Sequence, residues 1–310
     1  MKIYITEINE SWVVDKIRKE FIKNYENYCT QDIKTADIVW IIAPWTISRT
    51  FLAKIRNKKV ICSIYHLDEF KKNSIDLKNF YKIDKYVDVY HTISRKSLNQ
   101  LERFTEKPIF QIPFWVNTDE FYKINKKEEL RSKYDFNSNC YLVGSFQRDS
   151  EGGNTSLPKL IKGPDIFLEI IKKMNSEIKN LNVILAGKRR NYLLDNLSKA
   201  GIKYRYFEMI STQELNELYN ILDLYIVSSR LEGGPQAITE CATIEVPIVS
   251  TNVGVAPQIL NSSSIYNYED LSTFQFASPD VKYAKKMVKE YETPFGFTRF
   301  LEMFTDLNEN

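Results

Sequence analysis

Short, uninterrupted apolar runs alternate along this chain with stretches of helical spacing, and few architectures accept that alternation. Asp37 to Ala43 (DIVWIIA), Val60 to Tyr65 (VICSIY) and Val87 to Ile93 are apolar almost throughout rather than at every second residue. Such runs fit strands buried on both faces, as in a parallel sheet covered by helices. Lys2 to Thr6 reads as a first strand, and Trp12 to Tyr28 places Val13, Val14, Ile17, Phe21, Ile22 and Tyr25 on one helical face. Ser94 stands where it would cap a helix from Arg95 to Phe104. A turn-rich segment, Pro113 to Phe121 (PFWVNTDEF), interrupts the series.

After it the pattern restarts. Strands are expected at Tyr141–Ser145, Asn182–Ala186 and Tyr204–Phe207, and helices at Glu128–Tyr134, Pro164–Lys173, Tyr192–Ala200 and Thr212–Asn220. Leu215, Leu218, Tyr219 and Leu222 line one face of the last helix and read as core. The spacing therefore predicts an α/β chain with two Rossmann-like domains and parallel sheets. The boundaries fall at 1–117 and 118–292, followed by a tail, 293–310. Val281 to Asp306 is helical by spacing, with an interruption around Pro294 and Gly296. A length of 310 residues is comfortable for two cores.

Charge and cysteine usage remove several classes. The net charge is +3, split into +6 for Met1–Trp115 (20 basic, 14 acidic) and −3 for the rest (23 basic, 26 acidic). So modest an excess gives no footing for nucleic-acid binding. The basic half suits either an ordinary solvated lysine surface or peripheral contact with an anionic bilayer or acceptor. Cys29, Cys62, Cys140 and Cys241 form no CxxC pair, and the only histidines are His66 and His91, so neither a metal cluster nor a disulfide framework is expected. That usage fits a cytoplasmic protein. MKIYITEINESW has no leader-like apolar run, and no stretch reaches the length of a membrane span.

The richest stretch is Asp223 to Thr251, DLYIVSSRLEGGPQAITECATIEVPIVST, which reads as strand, loop, helix, strand. Gly233, Gly234 and Pro235 sit at the handover from strand to helix, where glycines let a ligand approach the backbone and Pro235 suits a first helical turn. A helix start offers free N–H groups and partial positive charge to an anion. Glu232 precedes the helix and Glu240 lies within it. A ligand with a charged middle and hydroxyls at both ends, such as a nucleotide sugar, matches that order.

This stretch resembles the donor-binding signature of retaining GT-B glycosyltransferases, in particular glycosyltransferase family 4: Glu, seven residues, Glu, small residues after the first acid, and a strand near Pro247-Ile248-Val249. The resemblance implies that Glu232 contacts the hydroxyls of the transferred sugar, Glu240 the ribose hydroxyls, and Gly233, Gly234 and Pro235 the sugar and phosphate. It also implies a diphosphate held by an Arg after the glycine of a strand and a Lys before the next helix. Arg148 and Lys162, with Gly144 and Gly163, match these positions, and Lys159 is a substitute because DSEGGNTSLPKLI lengthens the spacing. Preorganised cations stabilise a departing diphosphate without a metal. His66, at the end of VICSIYH and followed by Asp68 and Glu69, matches the family's donor-sugar histidine; His91 is expected to be structural. Lys188, Phe207 and Met209 stand at strand ends where the family holds its base. PFWVNTDEF resembles the family's interdomain linker, with Trp115 in place of a glycine.

Two departures are visible. EINESWVV stands where the family has a Gly-Gly loop, and Glu245-Val246 precedes the proline of the closing strand where a glycine is usual. There is no Asp-x-Asp, Walker or GxSxG motif. The expectation is a metal-independent, retaining glycosyltransferase using a nucleotide-sugar donor and a glycan or glycolipid acceptor. The acceptor would be read by the N-terminal half, the donor by the C-terminal half, and the last helix would cross back to the first domain. A non-catalytic sugar or nucleotide binder and a nucleotide-sugar epimerase of the same fold remain as alternatives.

Overall fold

The computed structural model describes residues 1–7, 13–67, 75–152 and 155–309. The chain divides into two units, Met1–Trp115 with Pro294–Asn310, and Val116–Thr293.

The N-terminal unit contains β1 (Ile3–Ile5), α1 (Val13–Asn24), β2 (Ile38–Ile41), α2 (Arg49–Lys54), β3 (Lys59–Ser63), α3 (Ile75–Asp84), β4 (Val89–Thr92), α4 (Arg95–Leu101) and β5 (Ile109–Gln111). Its strands pair in parallel in the order β1-β2-β3-β4-β5. The continuous apolar run of β2 supplies both faces: Ile38, Trp40 and Ile42 join one core cluster, Val39 and Ile41 the other. Ser94 caps α4 by accepting a hydrogen bond from Ser97 N.

His91 is fully buried in this unit. Its Nε2 lies 2.7 Å from Ile112 O and its Nδ1 2.8 Å from Ser63 Oγ, which in turn accepts from Trp40 Nε1 at 2.8 Å. Because a carbonyl only accepts, Nε2 carries the proton, and the chain runs one way: Trp40 to Ser63 to His91 to Ile112. Burial drives the His91 pKa down to about 4, so the ring is neutral and structural.

The C-terminal unit contains α5 (Lys127–Lys133), β6 (Tyr141–Ser145), α6 (Pro164–Glu177), β7 (Leu181–Ala186), α7 (Asn191–Lys199), β8 (Tyr204–Phe207), α8 (Thr212–Ile221), β9 (Leu224–Val227), α9 (Gln236–Ile244), β10 (Ile248–Thr251), α10 (Ala256–Ile259), β11 (Ile265–Tyr266) and α11 (Val281–Val288). Its parallel strands run β11-β10-β9-β6-β7-β8. Leu142, Tyr225 and Val227 face one core cluster, Val143, Leu224 and Ile226 the other.

The chain then returns to the N-terminal unit as α12 (Phe295–Glu309). Phe297, Phe300, Met303 and Phe304 form its buried face, and Phe304 meets Phe21 and Trp40 at ring distances of 5.5 and 5.3 Å. Lys59 Nζ donates to Leu307 O and Asn308 O at 2.9 Å, a cation on the last carbonyls of the helix. The interruption expected around Pro294 and Gly296 is present and ends at Pro294. A 3-10 turn at Lys289–Tyr291 and the residues up to Pro294 carry the break, while Gly296 lies buried inside α12. Trp12, Asp68, Glu69 and most of the EINESWVV stretch lie outside the described residues.

Candidate functional site

The strand order singles out one crevice. In the C-terminal sheet the chain lays β7 and β8 to one side of β6, then comes back to place β9 on the other side. Loops leaving the carboxyl ends of β6 and β9 therefore part in opposite directions, the place where open α/β sheets take ligands. The N-terminal sheet is ordered consecutively among its described strands and has no such reversal.

The two loops at this point are stitched together. Gln147, after β6, donates from Nε2 to Lys162 O at 2.8 Å and accepts from Ser229 Oγ at 3.1 Å. Arg230 N and Leu231 N both donate to Ile161 O, at 2.9 and 3.1 Å. The Arg230 guanidinium grips the Asp165 carboxylate with two bonds of 2.8 and 2.6 Å, which holds the Asp165 pKa low against the effect of burial. Gly163 allows the approach: its φ is +62°, and a Cβ there would lie 1.8 Å from Ser228 O.

That approach brings Lys162 to Glu232. The ammonium pairs with Glu232 Oε1, with side-chain exposures of 20% and 12%, and Ser229 Oγ lies 3.2 Å from the same oxygen, an alternative acceptor for its one proton. Gly233 is buried beneath Gly254, whose φ is +48° and whose added Cβ would sit 2.6 Å from Gly233 O. Gly234 and Pro235 lead into α9, with Pro235 at the N-cap rather than inside the first turn. Glu240, half-buried within α9, accepts a 2.8 Å hydrogen bond on Oε2 from Tyr219 OH of α8.

Arg148 is held within its own loop: its Nε donates to Ser150 O at 2.8 Å and its Nη2 lies 3.6 Å from Glu151. Lys159 is half-buried; burial first, then the charges of Arg148 and Lys162, lower its pKa. Lys188 is exposed after β7, and Met209 is 72% exposed after β8. Phe207 lies half-buried with its ring 5.8 Å from that of Tyr134. His66 follows β3 in the N-terminal unit and is half-buried.

The sequence from 157 to 291 matches the model of the family described as glycosyl transferases group 1. The match falls inside the C-terminal unit and leaves the N-terminal unit outside it. Lys162, Glu232 and Glu240 fall within the matched segment, and Arg148 lies before it. Solved structures agree on the fold. The chain is 11% identical to HepE from Anabaena, determined with UDP and glucose, over 98% of this chain and 99% of that one, at a TM-score of 0.76. It is 13% identical to sucrose-phosphate synthase from Thermosynechococcus elongatus, over 97% and 80%, at 0.72. It is 21% identical to a glycosyltransferase from Rickettsia africae, over 98% and 84%, at 0.63. The two parallel-sheet units thus have the fold of GT-B glycosyltransferase structures. None of the curated protein sequences matches the chain.

Several residues around this site carry no motif of their own. Gln147 and Ser229 bridge the loops, Arg230 and Asp165 lock them, and Tyr219, read from spacing as core, sends its hydroxyl to Glu240. Tyr219 does belong to the core by its ring. Its phenol was the available signal, since a buried Tyr hydroxyl seeks a partner.

Proposed function

We propose that this chain is a retaining, metal-independent glycosyltransferase that moves a sugar from a nucleotide-sugar donor to an acceptor hydroxyl in the synthesis of a surface glycan or glycolipid. The observation that carries the reading is the Lys162–Glu232 pair beside Gly233 and the start of α9, at the point where the C-terminal sheet reverses. HepE, of the same fold, was determined with UDP-glucose as well as with UDP, which supports a nucleotide sugar as donor.

In this reading Glu232 accepts hydrogen bonds from the transferred sugar, Glu240 from the ribose, and Lys162 with Lys159 faces the diphosphate. The bond from C1 to the β-phosphate oxygen breaks and its electron pair stays with the diphosphate. The acceptor oxygen bonds to C1, and its proton goes to the departing diphosphate. Lysine charge near the leaving group offsets the developing negative charge, the role a metal would otherwise fill. The resemblance, rather than any distance, motivates retention of configuration. No helix among the described residues is long and apolar enough to cross a membrane, and a cytoplasmic enzyme, peripheral at the inner membrane face, is proposed on the cysteine usage and the basic N-terminal half.

Thermal stabilisation by a panel of UDP-, GDP- and ADP-sugars tests the reading, followed by slow donor hydrolysis with EDTA present. One donor should stabilise the protein and be hydrolysed, and Glu232→Ala should abolish the hydrolysis. If no nucleotide sugar stabilises it, the assignment falls; a free donor epimerised without acceptor would point to the other chemistry of this fold.

A further inference from the structure

Tyr219 stands out among the buried groups that the proposed reaction does not use. It sits on α8, whose start is fixed by a capping box between Ser211 and Glu214. Its side chain is 2% exposed, with its ring centroid 4.8 Å from Phe146, 5.5 Å from Tyr225 and 6.2 Å from Phe121. A ring so enclosed has one orientation. Its hydroxyl is aimed across to α9 and donates to Glu240 Oε2 at 2.8 Å. A phenol has a single proton to give, and here it is given to a carboxylate, a charge-assisted bond. Burial, then the charge of Glu240, raise the Tyr219 pKa well above its ordinary value, so the hydroxyl stays a donor at any working pH.

We propose that Tyr219 is a positioning residue for the ribose site: by holding Oε2 of Glu240 it fixes the plane of that carboxylate, so that the acid meets the 2′- and 3′-hydroxyls of a nucleoside diphosphate already oriented. The inference rests on the assignment of Glu240 to ribose made above. A glutamate on a helix has three side-chain torsions to order when it binds, and its placement from the side of the core removes that ordering from the binding step. The aromatic cluster adds a second consequence. Phe146 N donates to Tyr225 OH at 2.9 Å, so the residue that opens the β6 loop is fastened to the same group of rings that holds Tyr219. Ribose and diphosphate contacts are thereby referred to one rigid reference.

The test compares wild-type protein with Tyr219→Phe, which removes one oxygen and keeps the ring. Dissociation constants are measured by calorimetry for UDP, GDP and ADP, for the 2′,3′-dideoxy form of whichever binds, and for inorganic diphosphate. The nucleoside diphosphate should bind Tyr219→Phe about tenfold more weakly. The dideoxy form should bind both proteins equally, and so should inorganic diphosphate. In a Glu240→Gln background, Tyr219→Phe should add less than about twofold. Equal affinity of both proteins for the ribonucleotide overturns the proposal, as does an equal loss for ribo and dideoxy ligands, which would mark a merely structural tyrosine. If wild-type protein binds none of the three nucleotides, the assignment of the site itself fails, and that result is distinct from a failure of Tyr219.

Discussion

Replacing Gly163 with alanine puts the architecture of the site to a direct test. An added Cβ would fall 1.8 Å from Ser228 O and 2.7 Å from the carbon of that carbonyl, both backbone atoms at the end of β9. Contact at ordinary radii requires the two segments to part by about 1.6 Å, and overpacking of this kind costs about 1–3 kcal/mol. The left-handed backbone, with φ +62°, adds about 1–2 kcal/mol for any residue with a Cβ. The sum is a loss of about 2–5 kcal/mol. Gly201 supplies the control. Its φ is +64°, but nothing lies within 4 Å of its added Cβ, so Gly201→Ala should lose only the conformational part, about 1–2 kcal/mol. Urea unfolding of both variants measures the difference. Donor turnover should separate them more sharply: an opening of more than about 1 Å parts Lys162 from Glu232 and costs Gly163→Ala about a hundredfold in activity, while Gly201→Ala keeps it. If the two alanines cost the same stability and leave donor binding alike, the close approach at Gly163 does not build the site.

Other expectations are independent of that one. Lys162→Met should weaken diphosphate binding by about tenfold or more, read by calorimetry, because it removes a charged donor and leaves Glu232 without its cation. For His91 the folded pKa of about 4 lies below the ordinary 6.5, so the unfolded chain binds the extra proton between those values. Its stabilising contribution is complete above pH 6.5 and is lost as pH falls toward 4, by about 3 kcal/mol; His91→Gln should flatten that part of a urea stability profile. Glu245 ends α9 with φ +62° and pairs with Lys123 at 2.6 Å across partly exposed side chains. Glu245→Gly should raise stability by about 0.5–1 kcal/mol, because relief of the backbone outweighs a surface ion pair; a lower melting temperature would show the pair to be the larger effect.

The alternation of strands and helices was legible because parallel strands are buried on both faces and so write continuous apolar runs, as DIVWIIA does across two core clusters. Glu232, Gly233, Gly234 and Glu240 were legible because one loop and one helix carry them in sequence. What joins residues far apart was not. Lys162 and Glu232 are 70 residues apart, and only the reversal of strand order at β6 and β9 brings their loops together. Spacing placed Tyr219 on an apolar face, correctly, but spacing is blind to where a hydroxyl points. The place of Arg148 after a strand glycine is visible in the sequence, but its local partners, Ser150 O and Glu151, are not. Of the two residues that signal an interruption before the last helix, Pro294 falls in the break while Gly296 lies buried in the first turn of α12.

The ion pairs around the site make sense as a frame rather than as a source of stability. Arg190 is fully buried, with Nε 2.8 Å from Asp149, and it also donates to Gln147 O, tying the loop after β7 to the loop after β6. Taking both charges out of water is expensive, and the pair roughly offsets that expense rather than exceeding it. The gain is geometric: Asp149 O accepts from Lys159 N at 2.8 Å, so the buried pair sets where the cationic loop turns back. On the other side, Arg230 and Asp165 fasten the β9 loop to the first turn of α6. Between these two locks the backbone around Lys162 and Glu232 has little freedom, and what can still move is the side chains themselves. An ammonium group has three donors, so in the proposed reaction Lys162 can keep one on Glu232 and turn the others to a phosphate. Donor binding should then redistribute hydrogen bonds within a fixed backbone instead of remaking the loops. That is also why the variant expected to do most damage to this site is Gly163→Ala, which alters no charged group at all.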